Sequence, residues 1–311
     1  MNNKLNIITY HYVRDKKKSS FPNLKAQSVN VFKKQLNFIK KNFNIITPEQ
    51  FVNFINGKGV IKKNSYLLTF DDGYIDHYKV VLPELKKRNI SGIFFPPVQV
   101  ITKRKVADVN KIQLILAKIK DKKKLLNDIL KYLDKIDYSI NFENLKKKNF
   151  IKFKKRFDDK NTKYIKFLLQ VALPIKIREK ICNYFFNKYI SKDEKKISNK
   201  LYMNINHLKK LKANGMMIGG HGDKHLRLNL LTKKEQEKEI SKSYKFLKFL
   251  NGSSEGWTMC YPHGAYNKTT IELLKKYNCY CGFTSNKGSA ILNKRNLYEL
   301  KRLDTNDIKI K

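Results

Sequence analysis

Two adjacent carboxylates, Asp71 and Asp72, follow directly on the apolar run Tyr66 to Phe70 and precede Gly73, so they stand at the C-terminal end of a predicted strand. In parallel α/β folds that edge is where active sites collect. A strand that ends in a sharp turn can direct both carboxylates into one cleft, one binding a cation and the other free to act as a base. The same Asp-Asp-Gly also makes ordinary turns and helix N-caps. His221 and His225 come after another short strand, Met216 to Gly219, where Gly219 and Gly220 allow the backbone an unusual path. Their spacing places both imidazoles on one cation if the segment turns helically, and neutral imidazole suits zinc and related divalent metals; the alternative is a pair of surface histidines. With Asp72 they make a two-His, one-carboxylate set that leaves positions for water and substrate. The third element is Cys260-Tyr-Pro-His-Gly-Ala-Tyr266. Pro262 and Gly264 tighten a loop that can turn the His263 backbone N–H toward an oxyanion, although by itself the segment is a turn.

These residues need a frame that brings strand ends together. Apolar runs bounded by polar turns recur at Leu5 to Tyr10, Tyr66 to Phe70 and Ile90 to Phe95. Between them, Val31 to Phe43 and Tyr78 to Arg88 carry helix-spaced apolar faces. Strands alternating with helices predict a parallel α/β sheet or barrel. From about 101 to 200 the strand signal fades, Lys becomes frequent, and apolar sets such as Ile112, Ile115, Leu116 and Ile119 have helical spacing. This stretch reads as a helical insertion, either a lid or buttress or a Lys-lined approach for an acidic or lipid-linked substrate. The alternation returns after Asn204, with a helix opening at Thr232, where Glu235 stands at capping-box spacing, and stopping at Asn251-Gly252.

Composition sets outer bounds. The chain has 311 residues, 41% of them hydrophobic, enough to bury a sizeable core, and it is not a disordered protein. A net charge of +41 raises nucleic acid or an anionic membrane surface as a partner. The excess is mostly Lys accompanied by Asn, Ile, Phe and Tyr, a pattern an A/T-rich coding sequence produces without any such partner. Phe150-Ile-Lys-Phe-Lys-Lys-Arg-Phe157 fits the binding alternative and fits a solvated amphipathic face equally. Cys182, Cys260, Cys279 and Cys281 have no zinc-finger spacing and read as buried thiols in a reducing compartment. The N-terminal apolar run is too short and interrupted for a signal peptide, and no stretch approaches a membrane span. A cytoplasmic protein, either free or resting on the inner membrane surface, is the expectation.

Thr69-Phe-Asp-Asp-Gly73, His221-Gly-Asp-Lys-His225 and Tyr261-Pro-His-Gly264 together resemble the three motifs of the polysaccharide deacetylase family, the NodB-homology domain of carbohydrate esterase family 4, over roughly 1–100 and 201–311. The resemblance implies a distorted (β/α)7-type barrel with 101–200 inserted. It also implies Asp71 as general base and Asp72, His221 and His225 as ligands of one divalent ion, zinc or alternatively cobalt, nickel or manganese. The implied reaction removes an N-acyl group, acetyl or formyl, from an amino sugar in a glycan or a lipid- or nucleotide-linked precursor. Three departures stand out. Gly222 replaces the second motif's hydroxyl residue, which removes a loop-stabilising hydrogen bond but no ligand. Cys260 stands where many members carry Arg, so support for the base must come from elsewhere; Arg302, in Leu300-Lys-Arg-Leu-Asp304, is a candidate that could donate a charge-assisted hydrogen bond to Asp71, the alternative being a surface Arg. No His follows His263, so the family's C-terminal acid motif is missing. His11, in Thr9-Tyr-His-Tyr12, resembles the N-terminal His of permuted members that act on exopolysaccharides, which implies that it is the acid. His77 and His207 read as structural.

Overall fold

The computed structural model describes residues 4–15, 19, 21–139, 158–252 and 257–308; the Lys- and aromatic-rich stretch 150–157 lies outside them. The chain divides into two compact units. One comprises Met1–Ser20, Lys25–Lys105 and Ser198–Lys311, the other Phe21–Leu24 and Val106–Ile197.

The first unit is built on a nine-stranded, mostly parallel sheet. Its strands are β1 (Lys4–Tyr10), β2 (Asn44–Ile45), β3 (Ser65–Asp71), β4 (Gly92–Phe95), β5 (Met217–Ile218), β6 (Met259–Cys260), β7 (Gly282–Lys287), β8 (Ala290–Ile291) and β9 (Leu300–Asp304). Spatial order is β5-β4-β3-β1-β9-β7-β6, with β2 added on β3 and β8 running antiparallel to β1. The sheet curls into a partial barrel: Gly220, just past β5, forms a parallel bridge with Met259 of β6, so the two ends of the path meet. One strand, β9, escapes a reading by apolar runs: the charged residues of Leu-Lys-Arg-Leu-Asp hide the pattern, and it pairs with both β1 and β7.

Period-two alternation assigns each strand two faces. Leu5, Ile7, Leu67, Ile93, Phe95, Cys260, Phe283 and Leu300 share one buried cluster on the inside of the curl. The opposite face buries Ile8, Tyr10, Leu68, Phe70 and Phe94. There Tyr10 packs on Phe70 at 5.4 Å and on Phe32 at 5.1 Å between ring centroids. Phe32 comes from α1 (Val29–Asn42), which also buries Leu36 and Ile39. Thr9 lies opposite Thr69 in register, so the inside rows Leu5-Ile7-Thr9 and Leu67-Thr69-Asp71 run in step toward the C-terminal rim. The apolar row therefore turns polar at the rim, where the candidate chemistry lies.

Further helices of this unit include α2 (Pro48–Ile55), α3 (Leu82–Lys87), α4 (Val98–Thr102), α10 (Ile205–Ala213), α11 (Lys233–Asn251) and α12 (Lys268–Lys276). The helix expected at 78–88 begins instead with a π-helical turn, His77–Val81, and only then becomes α3. The second unit contains α5 (Asp108–Lys118), α6 (Lys122–Lys135), α7 (Lys160–Phe167) and α8 (Ile175–Tyr189), and α9 (Glu194–Leu201) spans the boundary. Its own apolar interior includes Ile112, Ile115, Leu125, Ile129, Ile165 and Phe185. Among the described residues no helix is long and apolar enough to cross a membrane.

Candidate metal centre and active site

Asp71 is the last residue of β3 and continues its inside row, leaving it 2% exposed. Arg302 grips it with both arms of the guanidinium: Nη1 donates to Oδ1 at 2.9 Å and Nη2 to Oδ2 at 2.7 Å. The arginine is itself held, donating through Nε to the Thr284 carbonyl at 2.9 Å and through Nη1 to Thr69 Oγ1 at 3.1 Å. Thr9 Oγ1 donates to Asp71 Oδ2 at 3.2 Å. Burial alone would raise the Asp71 pKa, but the Arg302 charge and hydrogen bonds outweigh it and hold the carboxyl well below the usual carboxylate range. Asp71 is thus a buried, ionised carboxylate in fixed orientation.

Asp72 turns the other way. Its φ of 73° and that of Gly73, 67°, lie in the left-handed region, so the chain reverses sharply at the end of β3. A Cβ at position 73 would come within 2.7 Å of the Pro96 Cβ, which reserves this position for glycine. Asp72 Oδ2 accepts a 2.7 Å hydrogen bond from the Tyr74 hydroxyl, and Oδ1 faces His225 Nε2 at 3.1 Å and His221 Nε2 at 3.3 Å. The two histidines are brought together by a loop and not by a helical turn, with left-handed conformations at Gly222 and His225.

The donor set suits a cation. Asp72, His221 and His225 each offer one ligand atom, all within 4.8 Å of one another and all from buried residues. His221 Nδ1 lies 2.7 Å from the Cys260 carbonyl, which can only accept, so Nδ1 carries a hydrogen and Nε2, facing Asp72, is the atom left to offer a lone pair once the ring is neutral. A lone pair facing a carboxylate oxygen in a buried pocket calls for a positive charge between them, and ligating histidines characteristically use their second nitrogen in this way. Burial opposes charge on both rings. It prevails at His225, whose pKa lies below the ordinary imidazole value, whereas Cys260 and the Asp72 hydrogen bond override it at His221, which is raised.

A second grouping, Asp71, His221 and Cys260, is also close enough to hold an ion. Arg302 already neutralises Asp71 and donates through Nη2 to Cys260 Sγ at 3.2 Å, and His221 Nδ1 is committed to the Cys260 carbonyl. This grouping is therefore complete without a cation.

His11 follows β1 directly. Its ring is half exposed, with Nε2 3.9 Å from Asp71 Oδ2, and its carbonyl accepts a hydrogen bond from His77 Nε2 at 2.9 Å. His263 sits in a short 3-10 turn, Pro262–Gly264, with φ 59°, and its ring meets the edge of His225 at 4.6 Å. His207 takes part in the capping box of α10 through Asn204. The rim thus gathers Asp71, Asp72, His221, His225, Arg302, His11 and His263. Thr9 and Tyr74 join them without having been singled out in the sequence. Tyr74 lies one position beyond the Asp-Asp-Gly motif, and hydrogen bonding to a carboxylate two residues back has no periodic signature.

The sequence profile described as polysaccharide deacetylase matches residues 180–282, a stretch containing His221, His225 and Tyr261 to Gly264. The putative polysaccharide deacetylase YxkH of Bacillus subtilis (strain 168) is 32% identical over 97 residues, which are 31% of this chain and 34% of that protein. The alignment thus spans about a third of the length of that relative. Similar folds occur in the Streptococcus pyogenes deacetylase PplD (TM-score 0.60, 17% identity, 98% of this chain and 93% of that one). The de-N-acetylase of Aggregatibacter actinomycetemcomitans is comparable (TM-score 0.56, 18% identity, 97% and 96%). So is IcaB of Ammonifex degensii (TM-score 0.56, 15% identity, 96% and 91%). At these identities the likeness to the solved structures is one of fold, and it extends over nearly the whole chain. The chain thus resembles polysaccharide deacetylases in sequence over the second and third motifs and in fold over nearly its whole length.

Proposed function

We propose that the protein is a metal-dependent N-deacylase that hydrolyses the acyl amide of an amino sugar in a glycan or a lipid- or nucleotide-linked glycan precursor. The observation that carries this reading is the adjacency of two differently prepared carboxylates. Asp71 is neutralised by Arg302, while Asp72 shares its Oδ1 with two imidazoles. Asp72, His221 and His225 would hold a divalent ion, zinc by preference of that ligand set, with cobalt, nickel or manganese as substitutes. Such an ion supplies an acidified water and a polarised acyl carbonyl.

Asp71, ionised across the working pH range, accepts the proton of the attacking water. The water oxygen bonds to the acyl carbon, the amide C–N bond breaks, and His11 delivers a proton to the departing nitrogen. The products are a carboxylate and a free amino sugar. The His263 N–H donates to the oxyanion, an effect of about 3–4 kcal/mol for a well-placed donor. Four free, buried cysteines fit a cytoplasmic setting for this reaction.

The test is release of acetate from an N-acetylglucosamine oligomer by zinc-loaded protein. Chelation should abolish turnover, and Asp71→Asn should lower kcat by about 10²–10⁴-fold. Undiminished turnover in Asp72→Ala or His221→Ala would refute the metal assignment.

A further inference from the structure

The loop that joins His221 to His225 has to hold two metal ligands in register, yet it lacks the hydroxyl that the resemblance leads one to expect at position 222. Its backbone is held from elsewhere. Asp223 N and Lys224 N both donate to one oxygen, Oε2 of Glu239, each at 2.9 Å. Glu239 lies on α11 and is 4% exposed. Gly222 makes room for it: φ there is +73°, and a Cβ would lie 2.9 Å from that same Oε2. On the other side, Val98 N donates to the Gly222 carbonyl at 3.1 Å and Gln99 N to the Asp223 carbonyl at 3.0 Å, both from the first turn of α4. The Asp223 side chain accepts from Gln99 Nε2 at 3.0 Å and from Lys242 Nζ at 2.5 Å. The loop is thus clamped between α4 and α11, and Glu239 is its acceptor on the α11 side.

We infer that Glu239 is a positioning residue for the metal centre: its carboxylate takes the place of the missing hydroxyl at position 222 and sets the separation of His221 and His225. A carboxylate buried against two N–H groups is a strong, short-range anchor, and outer partners of metal ligands govern affinity by fixing ligand geometry. Burial pushes the Glu239 carboxyl up to about 7, but Oε2 accepts both N–H groups whether or not the other oxygen carries a proton. A neutral isostere should therefore serve.

This inference rests on Asp72, His221 and His225 being the metal ligands, and a binding measurement separates the two claims. Zinc affinity is measured by calorimetry on the full chain, and cobalt(II) binding by its visible spectrum. Glu239→Ala should weaken zinc by roughly 10–100-fold and alter the cobalt spectrum, because the ligands no longer meet in one geometry. Glu239→Gln should stay within about threefold of the wild type, since an amide oxygen replaces the acceptor. Gly222→Ala probes the same contact from the loop side and should weaken zinc as well, which covers a failure of Glu239→Ala to fold. A merely structural role would lower the melting temperature of the metal-free protein and leave the affinity and spectrum unchanged. Wild-type affinity in folded Glu239→Ala or in folded Gly222→Ala would overturn the inference. Absence of zinc binding by the wild type would overturn the metal site itself.

Discussion

Arg302 shows how one side chain fixes the chemical state of another. It supplies two hydrogen bonds and a full charge to a carboxylate that burial would otherwise protonate. Because the folded pKa of Asp71 lies below its unfolded value, the stability gained from its ionisation is fully present above the unfolded value. It is lost as pH falls through the folded one. Removing the arginine reverses this. In Arg302→Met the acidic limb of kcat/KM should move to higher pH by about 1–3 units, and the fold should lose about 3–5 kcal/mol in urea titrations because an uncompensated charge remains buried. Arg302→Lys keeps the charge but cannot fork across both oxygens, so it should fall between the two. An unmoved acidic limb in Arg302→Met would show that Asp71 is not the titrating base. The candidate residues at this scale were legible where they form short motifs with their own neighbours. Thr9 and Tyr74 were not, because neither type, alone on a strand or in a turn, announces a carboxylate beside it.

Elements place these groups, and their ends were more readable than their pairing. Thr232 and Glu235 have capping-box spacing, and in the structure Glu235 Oε2 accepts from Thr232 N at 2.9 Å while Thr232 Oγ1 accepts from Glu235 N at 3.3 Å. The other end of α11 closes on Gly252 at φ 75°. Thr232→Ala removes the cap from the helix that carries Glu239 and should cost about 1 kcal/mol in the urea midpoint. The loss should be independent of zinc affinity, since Glu239 sits beyond the first turn. A loss near zero would mean that solvent or tertiary packing replaces the cap. Strand β9 is the contrasting case. Its sequence, Leu-Lys-Arg-Leu-Asp, breaks the alternation with two adjacent charges and resembles a polar connection, yet it lies between β1 and β7 and places Arg302 on the inside row. Strand status there comes from two parallel partners, which no local pattern encodes. The histidine loop is similar, since a helical spacing of two imidazoles is realised by left-handed residues and by an anchor on α11.

For the whole molecule, charge and sheet order are the governing quantities. A net charge of +41 makes like-charge repulsion a general cost of the compact state. Added salt should therefore raise the melting temperature as NaCl goes from about 0.01 M to about 0.2 M, where the screening length shortens from about 30 Å to under 10 Å. A salt-independent melting curve would show that the Lys excess is already spaced widely enough to be harmless. Alternation of strands and helices was sufficient to indicate a parallel α/β sheet or barrel, because that signal depends on residues near one another in the chain, and the likeness of three short motifs implied that Asp72 meets His221 and His225. Tertiary structure alone decided that Arg302, 231 positions from Asp71, clasps it. It also decided that this arginine comes from β9, and that Glu239 reaches the loop between His221 and His225. The reason is physical: periodicity reports which side of an element faces the core, whereas the meeting of two distant side chains depends on strand order and on the curl of the sheet, and these are settled by packing over the whole chain.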